Sequence, residues 1–198
     1  MNNNYDNIVT FVTGNKNKLS EFSAILKDLD NFELVNEKID LDEIQSLSLE
    51  EIVEHKVKQA YDIIQKPVLV EDTGFFIDKL NGLPGPLIKF FLDKLGNNAP
   101  VKLIKDSNNR RATAKVCVGF YDGNNLIIEV GEMNGNIIRE ESGEEGFGFD
   151  VCFIPDGFNK TLNNIDVEVK NKFFARRIAI EKFKSEYEKV NLRNIIKN

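Results

Sequence analysis

Histidine occurs once in the 198 residues, at His55, and cysteine twice, at Cys117 and Cys152. A single histidine excludes a histidine-rich zinc site and leaves a histidine-based catalytic triad without material. The cysteines are far apart, lack metal-like spacing and each sit in an apolar run, which reads as two reduced core residues. Long apolar stretches are missing as well. None approaches the ~20 residues needed to span a bilayer, so no membrane partner is expected. Nor is there an excess of positive charge. With 26 Lys and Arg against 32 Asp and Glu the net charge is −6, and indiscriminate nucleic-acid binding requires a cationic surface. Met1 to Asp6 shows no basic start leading into an apolar stretch, so no secretory leader is expected and the cytoplasm is the expected compartment. The familiar glycine-rich nucleotide fingerprints are also missing, both the P-loop with its Lys-Ser/Thr pair and G-x-G-x-x-G.

What is present begins at residue 8. Ile8-Val9-Thr10-Phe11-Val12 is a short, β-branched apolar run that stops at Thr13-Gly14-Asn15. Lys16, Asn17 and Lys18 follow, and a helical pattern opens. Strand, tight polar turn and helix start aim backbone N–H groups at an anion. Lysines in a first helical turn oppose the helix dipole by roughly 0.3–1 kcal/mol, so two of them point to a negative ligand, phosphate above all. A plain strand–glycine–helix junction with surface lysines remains the other reading.

The rest alternates early and changes character midway. A helix is expected over about 17–29, with Leu19, Phe22, Ile25, Leu26 and Leu29 on one face, then a short strand over 32–35 and an acidic connector over 38–44. Ser48 with Glu51 has the form of a capping box opening a helix that turns Ile52, Val53, Val57, Ala60 and Ile64 inward. Pro67 to Val70 reads as a strand buried on both faces, ending at Glu71-Asp72-Thr73-Gly74. Gly82-Leu83-Pro84-Gly85-Pro86 is a rigid turn, with Pro86 expected at the first position of a helix that buries Leu87, Ile88, Phe91 and Leu95. Ala112, Ala114, Val116, Val118 and Phe120 alternate as in a half-buried strand. Asp122-Gly123-Asn124 signals a hairpin returning over 126–130. A strand near 151–154 and a last helix over about 172–189 complete an α/β fold with a mixed sheet and flanking helices.

Four groups carry chemistry. The first is the turn with its lysines. The second is Glu71-Asp72, two carboxylates expected at a strand's carboxyl end, where ligands collect in open α/β sheets. They suit Mg²⁺ shared with substrate phosphates, with Glu43 as a third carboxylate; an acidic turn and a solvated acidic loop are the plain alternatives. The third is Gly146-Phe147-Gly148-Phe149-Asp150, where glycines permit close backbone approach and rings offer stacking faces to a flat heterocycle, or simply pack in the core. The fourth is Lys170 with Arg176 and Arg177, placed at the start of the last helix and able to hold phosphate or donate to a base.

In this order and spacing the four groups, with Gly82 to Pro86 and Pro155-Asp156-Gly157, resemble the inosine triphosphate pyrophosphatase family over about residues 7 to 188. The resemblance implies an elongated two-lobed domain around a central cleft, a homodimer, and hydrolysis of deaminated purine nucleoside triphosphates (ITP, dITP, XTP) to the monophosphate and pyrophosphate. It implies Mg²⁺, with Mn²⁺ as a substitute, held by Glu43 and Asp72. Asp72 is implied as the base that acts on water, with Glu71 beside it. Thr13, Gly14, Asn15, Lys16, Asn17, Lys18, Lys56 and Thr73 are implied on the phosphate tail. Phe147, Gly148, Phe149 and Asp150 are implied around the purine, and Lys170 and Arg176 near the base. The chain departs from the family where members carry Ser-His-Arg, since it has Phe174-Ala175-Arg176. One base-facing donor is lost there. That leaves two alternatives, the same chemistry on other modified or pyrimidine triphosphates, or a nucleotide-binding sensor without turnover.

Overall fold

The computed structural model describes residues 7–30 and 32–197; the side chains of Asn17 and of residues 192–197 lie outside the described set. In chain order it forms β1 (Ile8–Val12), α1 (Lys16–Leu26), β2 (Glu33–Glu37), α2 (Leu49–Ile64), β3 (Val68–Ile77), β4 (Pro84–Gly85), α3 (Ile88–Leu95), α4 (Ala99–Leu103), β5 (Arg111–Tyr121), β6 (Leu126–Ile137), β7 (Phe153–Pro155), α5 (Val167–Phe173) and α6 (Ala175–Lys197). The strands make one seven-stranded mixed sheet in the order β2-β1-β3-β5-β6-β7, with the short β4 alongside β3. No described helix is long and apolar enough to cross a membrane.

Two kinds of pairing meet at β3. On one side β1 runs parallel to β2 and β3, with Thr10 opposite Val68 and Phe11 opposite Leu69. On the other side β3, β5 and β6 form a long antiparallel meander, closed by the Asp122-Gly123-Asn124 hairpin that the sequence signalled. β1 ends at Val12, whereas β3 continues to Ile77. The sequence reading ended this strand at Glu71. It continues because β5 supplies partners along its whole length, Glu71 opposite Val118 and Asp72 opposite Cys117, which satisfies the backbone of a polar stretch.

Helices cover both faces. α1 and α6 pack on the face that carries Val9, Phe11, Leu69, Phe75 and Phe120. α2 covers Val12, Val68, Val70 and Cys117 on the other. Both cysteines are buried and free, as expected, and burial pushes their thiols up. The alternation of β5 gives way near Cys117 because α2 covers its second face there; Cys117, Val118 and Phe120 are all buried.

Other expectations are corrected. Pro86 lies in a turn before α3, which begins at Ile88. Leu95 is exposed, while Leu92 packs on the core instead. β6 runs on to Ile137. The last helix begins at Ala175, because Phe174 adopts an extended backbone (φ −62°, ψ 147°) and separates it from α5. Ser48 caps α2, its Oγ accepting from Glu51 N at 3.2 Å. The Glu51 carboxylate, however, accepts from the Ser46 hydroxyl rather than reaching back to Ser48, whose N–H is taken by Ser46 Oγ.

α6 sits directly on β6 at Gly131. A Cβ at that position would stand 1.9 Å from the Ala175 carbonyl oxygen and 2.6 Å from the Ala179 nitrogen. Both are backbone atoms, so the helix itself would have to move. Gly131→Ala is expected to cost about 1–3 kcal/mol, as overpacked cores do. Thermal unfolding followed by circular dichroism measures it, and an unchanged Tm would show that α6 is not seated there.

Candidate active site

The turn after β1 is built by its own polar side chains. Thr13 N donates to Glu37 O at 3.1 Å, extending the parallel ladder by one step. Asn15 N donates to Thr13 Oγ1, and Asn15 Oδ1 accepts from Lys18 N at 3.3 Å, so Asn15 is the N-cap of α1. The first turn of α1 has Lys16 and Lys18 and no acidic residue. Lys38, one residue past β2, lies across Gly14, its Cε 3.5 Å from a Cβ built there. The sequence reading missed Lys38. The signal was the parallel register, which pairs Val12 with Glu37 and so brings the residues after both strands to one level.

Glu71 and Asp72 do not stand at a strand's carboxyl end as expected, because β3 runs on to Ile77, and adjacent residues of a strand point to opposite faces. They lie mid-strand and face different helices. Glu71 faces α1 and α6. Its side chain is 0% exposed, with Lys18 Nζ at 2.8 Å and Arg176 Nε at 3.6 Å from Oε2. Thr73, on the same face, donates to its Oε1 at 2.8 Å. Burial alone would push this carboxyl up; the charges of Lys18 and Arg176 and the bonds made by Lys18 and Thr73 outweigh it, and the group is held below its ordinary 4.5.

Asp72 faces α2. Its Oδ1 accepts from Thr73 N at 2.8 Å, and its Oδ2 lies 3.1 Å from Lys56 Nζ. The same ammonium donates to Glu43 Oε1 at 2.7 Å. Burial pulls the Lys56 ammonium down, but Asp72 and Glu43 together raise it above its ordinary value. Glu43 thus reaches in from the connector, as expected, and two carboxylates converge on one cationic position. Among the described residues no group of three or more His, Cys, Asp or Glu side chains is arranged to hold a metal. Glu43 and Asp72 are oxygen donors of the kind a hard divalent cation takes, and Glu71 lies on the other face, away from them.

The base-side groups are only partly as expected. Gly148 takes a left-handed conformation (φ +56°) and turns the chain into a 3₁₀ segment over Gly148–Val151. Phe147 is left 72% exposed, whereas Phe149 is buried and stacks on Phe75 at 4.4 Å. Phe149 is therefore a core ring, not an open purine face. The stack, worth about 0.5–1.5 kcal/mol beyond its buried area, pins this loop to β3. Lys170 stands on α5 rather than on the last helix, with Nζ 3.4 Å from Asp150 Oδ2. Burial raises the Asp150 carboxyl, an effect that Lys170 and Arg176 only partly offset. Arg176 contacts Glu21 Oε2 at 2.9 Å and lies 5.6 Å from the Phe174 ring centroid. Glu21 was not foreseen either, although its i+3 spacing from Lys18 places both on one face of α1.

The fold and site define a class: a mixed-sheet α/β protein with a charged cluster where parallel pairing gives way to antiparallel pairing. A model of the Ham1 family matches residues 9–186. The dITP/XTP pyrophosphatase of Methanopyrus kandleri is 39% identical over 183 residues, covering 91% of this chain and 96% of that protein. The inosine triphosphate pyrophosphatase of Scheffersomyces stipitis is 40% identical over 187 residues, covering 89% and 95%. The structure of a HAM1 protein from Coxiella burnetii shares the fold with a TM-score of 0.80 at 22% identity, covering 92% of this chain and 99% of that one. The chain belongs to the Ham1 family.

The lowered Glu71 carboxyl sets a pH dependence. A group held below its ordinary value contributes stability that is full above about pH 4.5 and is lost as pH falls through the lowered folded-state value. Melting temperature is therefore expected to fall on acidification below that point. Glu71→Gln is expected to be less stable near neutrality and to show a shallower acid decline; identical pH profiles would remove Glu71 from this role.

Proposed function

We propose that this protein hydrolyses deaminated purine nucleoside triphosphates (ITP, dITP and XTP) to the nucleoside monophosphate and pyrophosphate. The observation that carries this reading is the convergence of Glu43 and Asp72 on Lys56, close to the strand level of the Thr13–Lys18 turn. The named relatives support it from outside the structure, since two proteins that cover almost the same length act on ITP or on dITP and XTP by name.

In this reading the triphosphate tail lies along the Thr13-Gly14-Asn15 turn, where Lys16, Lys18 and Lys38 supply positive charge. Glu43 and Asp72 would hold Mg²⁺, or Mn²⁺ in its place, which supplies charge neutralisation on the phosphates when bound. Asp72 orients a water and takes its proton as the water oxygen bonds to the α-phosphorus. The bond from that phosphorus to the α–β bridging oxygen breaks, and pyrophosphate leaves with the electron pair. Lys56 holds Asp72 and Glu43 in place and offsets part of their charge. Transfers of this kind depend on positioning and electrostatics more than on covalent help.

At the other end, Arg176 and Lys170 offer donors, and a 6-oxo purine presents an acceptor where adenine presents an amino donor. A site built to donate rejects the wrong base. The protein acts in this reading as a homodimer, which sedimentation velocity tests.

Phosphorus NMR of the protein with Mg²⁺ and ITP is expected to show pyrophosphate as the first product, and orthophosphate appearing first would refute the α–β cut. Asp72→Asn is expected to lower kcat by about 10²–10⁴-fold while nucleotide binding persists; near-normal turnover would remove Asp72 as base. Removing divalent ions with a chelator is expected to stop turnover, and Mg²⁺ to restore it. The Phe174-Ala175 pair in place of the family's Ser-His motivates a substrate panel, in which preference for dTTP or UTP over ITP would reverse the assignment of substrate.

A further inference from the structure

We propose that Glu71 is a positioning residue, the buried counter-charge that fixes Lys18 and Arg176 beside each other and so couples the phosphate end of the site to its base end. The inference rests on the proposed function for what Lys18 and Arg176 touch. It assigns Glu71 a role different from that of its neighbour Asp72.

The geometry separates the two carboxylates. Asp72 faces α2, Lys56 and Glu43, while Glu71 faces α1 and α6 across the thickness of the sheet. Lys56 joins Glu43 to Asp72, while the contacts of the buried Glu71 carboxylate are with Lys18, Arg176 and Thr73. Its Oε1 is taken by the Thr73 hydroxyl, and its Oε2 is shared by two cations from two separate helices. Each helix start is itself fixed, α1 by the Asn15 cap and α6 by its seat on Gly131. Arg176 is held further by Glu21 and by the ring of Phe174. Its Nε is buried and has no hydrogen-bond partner among the described residues, so its orientation there depends on the charge of Glu71.

Packing alone does not account for this arrangement. Buried ion clusters are often no more stabilising than apolar residues of the same volume. What the charges add is direction, since one carboxylate sets where two cationic heads point. Loss of that carboxylate leaves the two cations without the charge they share, with Glu21 and Asp150 the remaining acids near Arg176, and both ends of the substrate lose their partners together.

Steady-state kinetics of the full-length protein on ITP and ATP test the inference. In Glu71→Gln, KM for ITP is expected to rise about tenfold or more, the scale of a lost charge-assisted contact. The preference for ITP over ATP in kcat/KM is expected to fall with it, while kcat at saturation drops far less than in Asp72→Asn. A purely structural role would lower stability without moving the ITP/ATP ratio. Unchanged KM and ratio, or a loss confined to kcat, overturns the proposal. If Glu71→Gln does not fold, the cycle of Lys18→Gln, Arg176→Gln and the double variant decides. Their effects on KM are expected to depart from additivity by more than about threefold, and additive effects overturn the coupling. Wild-type protein that releases no pyrophosphate from any triphosphate refutes the proposed function instead, and calorimetric binding of ITP to the same variants then reads the coupling, with absent or additive binding effects overturning it.

Discussion

The continuation of β3 past the end of β1 is the constraint on which the site depends. Where β1 stops, the parallel half of the sheet opens into a turn, yet β3 remains fully paired through β5. Two carboxylates are thereby held in a rigid, hydrogen-bonded strand at the edge of an opening, a setting that loops do not provide. Strand periodicity then sends them to opposite faces, and each face is covered by a different helix with its own cation. Lys56 arrives from α2, Lys18 from α1 and Arg176 from α6.

Much of this was legible in the residues. The Val12–Thr13 boundary, the capping serine of α2, the strand-ending turns and the hairpin at Gly123 are local chemistry, and local chemistry is written in sequence. Lys56, Glu43 and Asp72 meet on one face of the sheet, and Lys18 and Arg176 meet at Glu71 on the other. What failed was nonlocal. Glu71-Thr73 reads as a polar stop because nothing in the residues shows that β5 will pair with it. Phe149 reads as either a stacking face or a core ring, because its partner Phe75 is distant in sequence. Lys38 and Glu21 become visible only when strand register and helix face are known. The opposite orientation of Glu71 and Asp72 was the one feature that period-two reasoning would have supplied had the strand been extended.

The two ends of the site are tied to the core by different means. The loop at residues 146–150 is pinned through Phe149, whose ring stacks on Phe75 of β3, while Phe147 is exposed in the same turn. Arg176 is placed through backbone contact, because Gly131 lets α6 approach β6 without an intervening side chain. One end is thus located by aromatic packing and the other by a missing Cβ, and both refer back to the same meander.

Lys56 also bears on how the two carboxylates coexist. Two carboxylates brought this close repel one another. Here the ammonium of Lys56 already stands between Glu43 and Asp72. The chain carries its own counter-ion there, which offsets part of the negative charge once α2 docks on the sheet. The pairing is made wholly within the protein, between α2, the connector before it and β3.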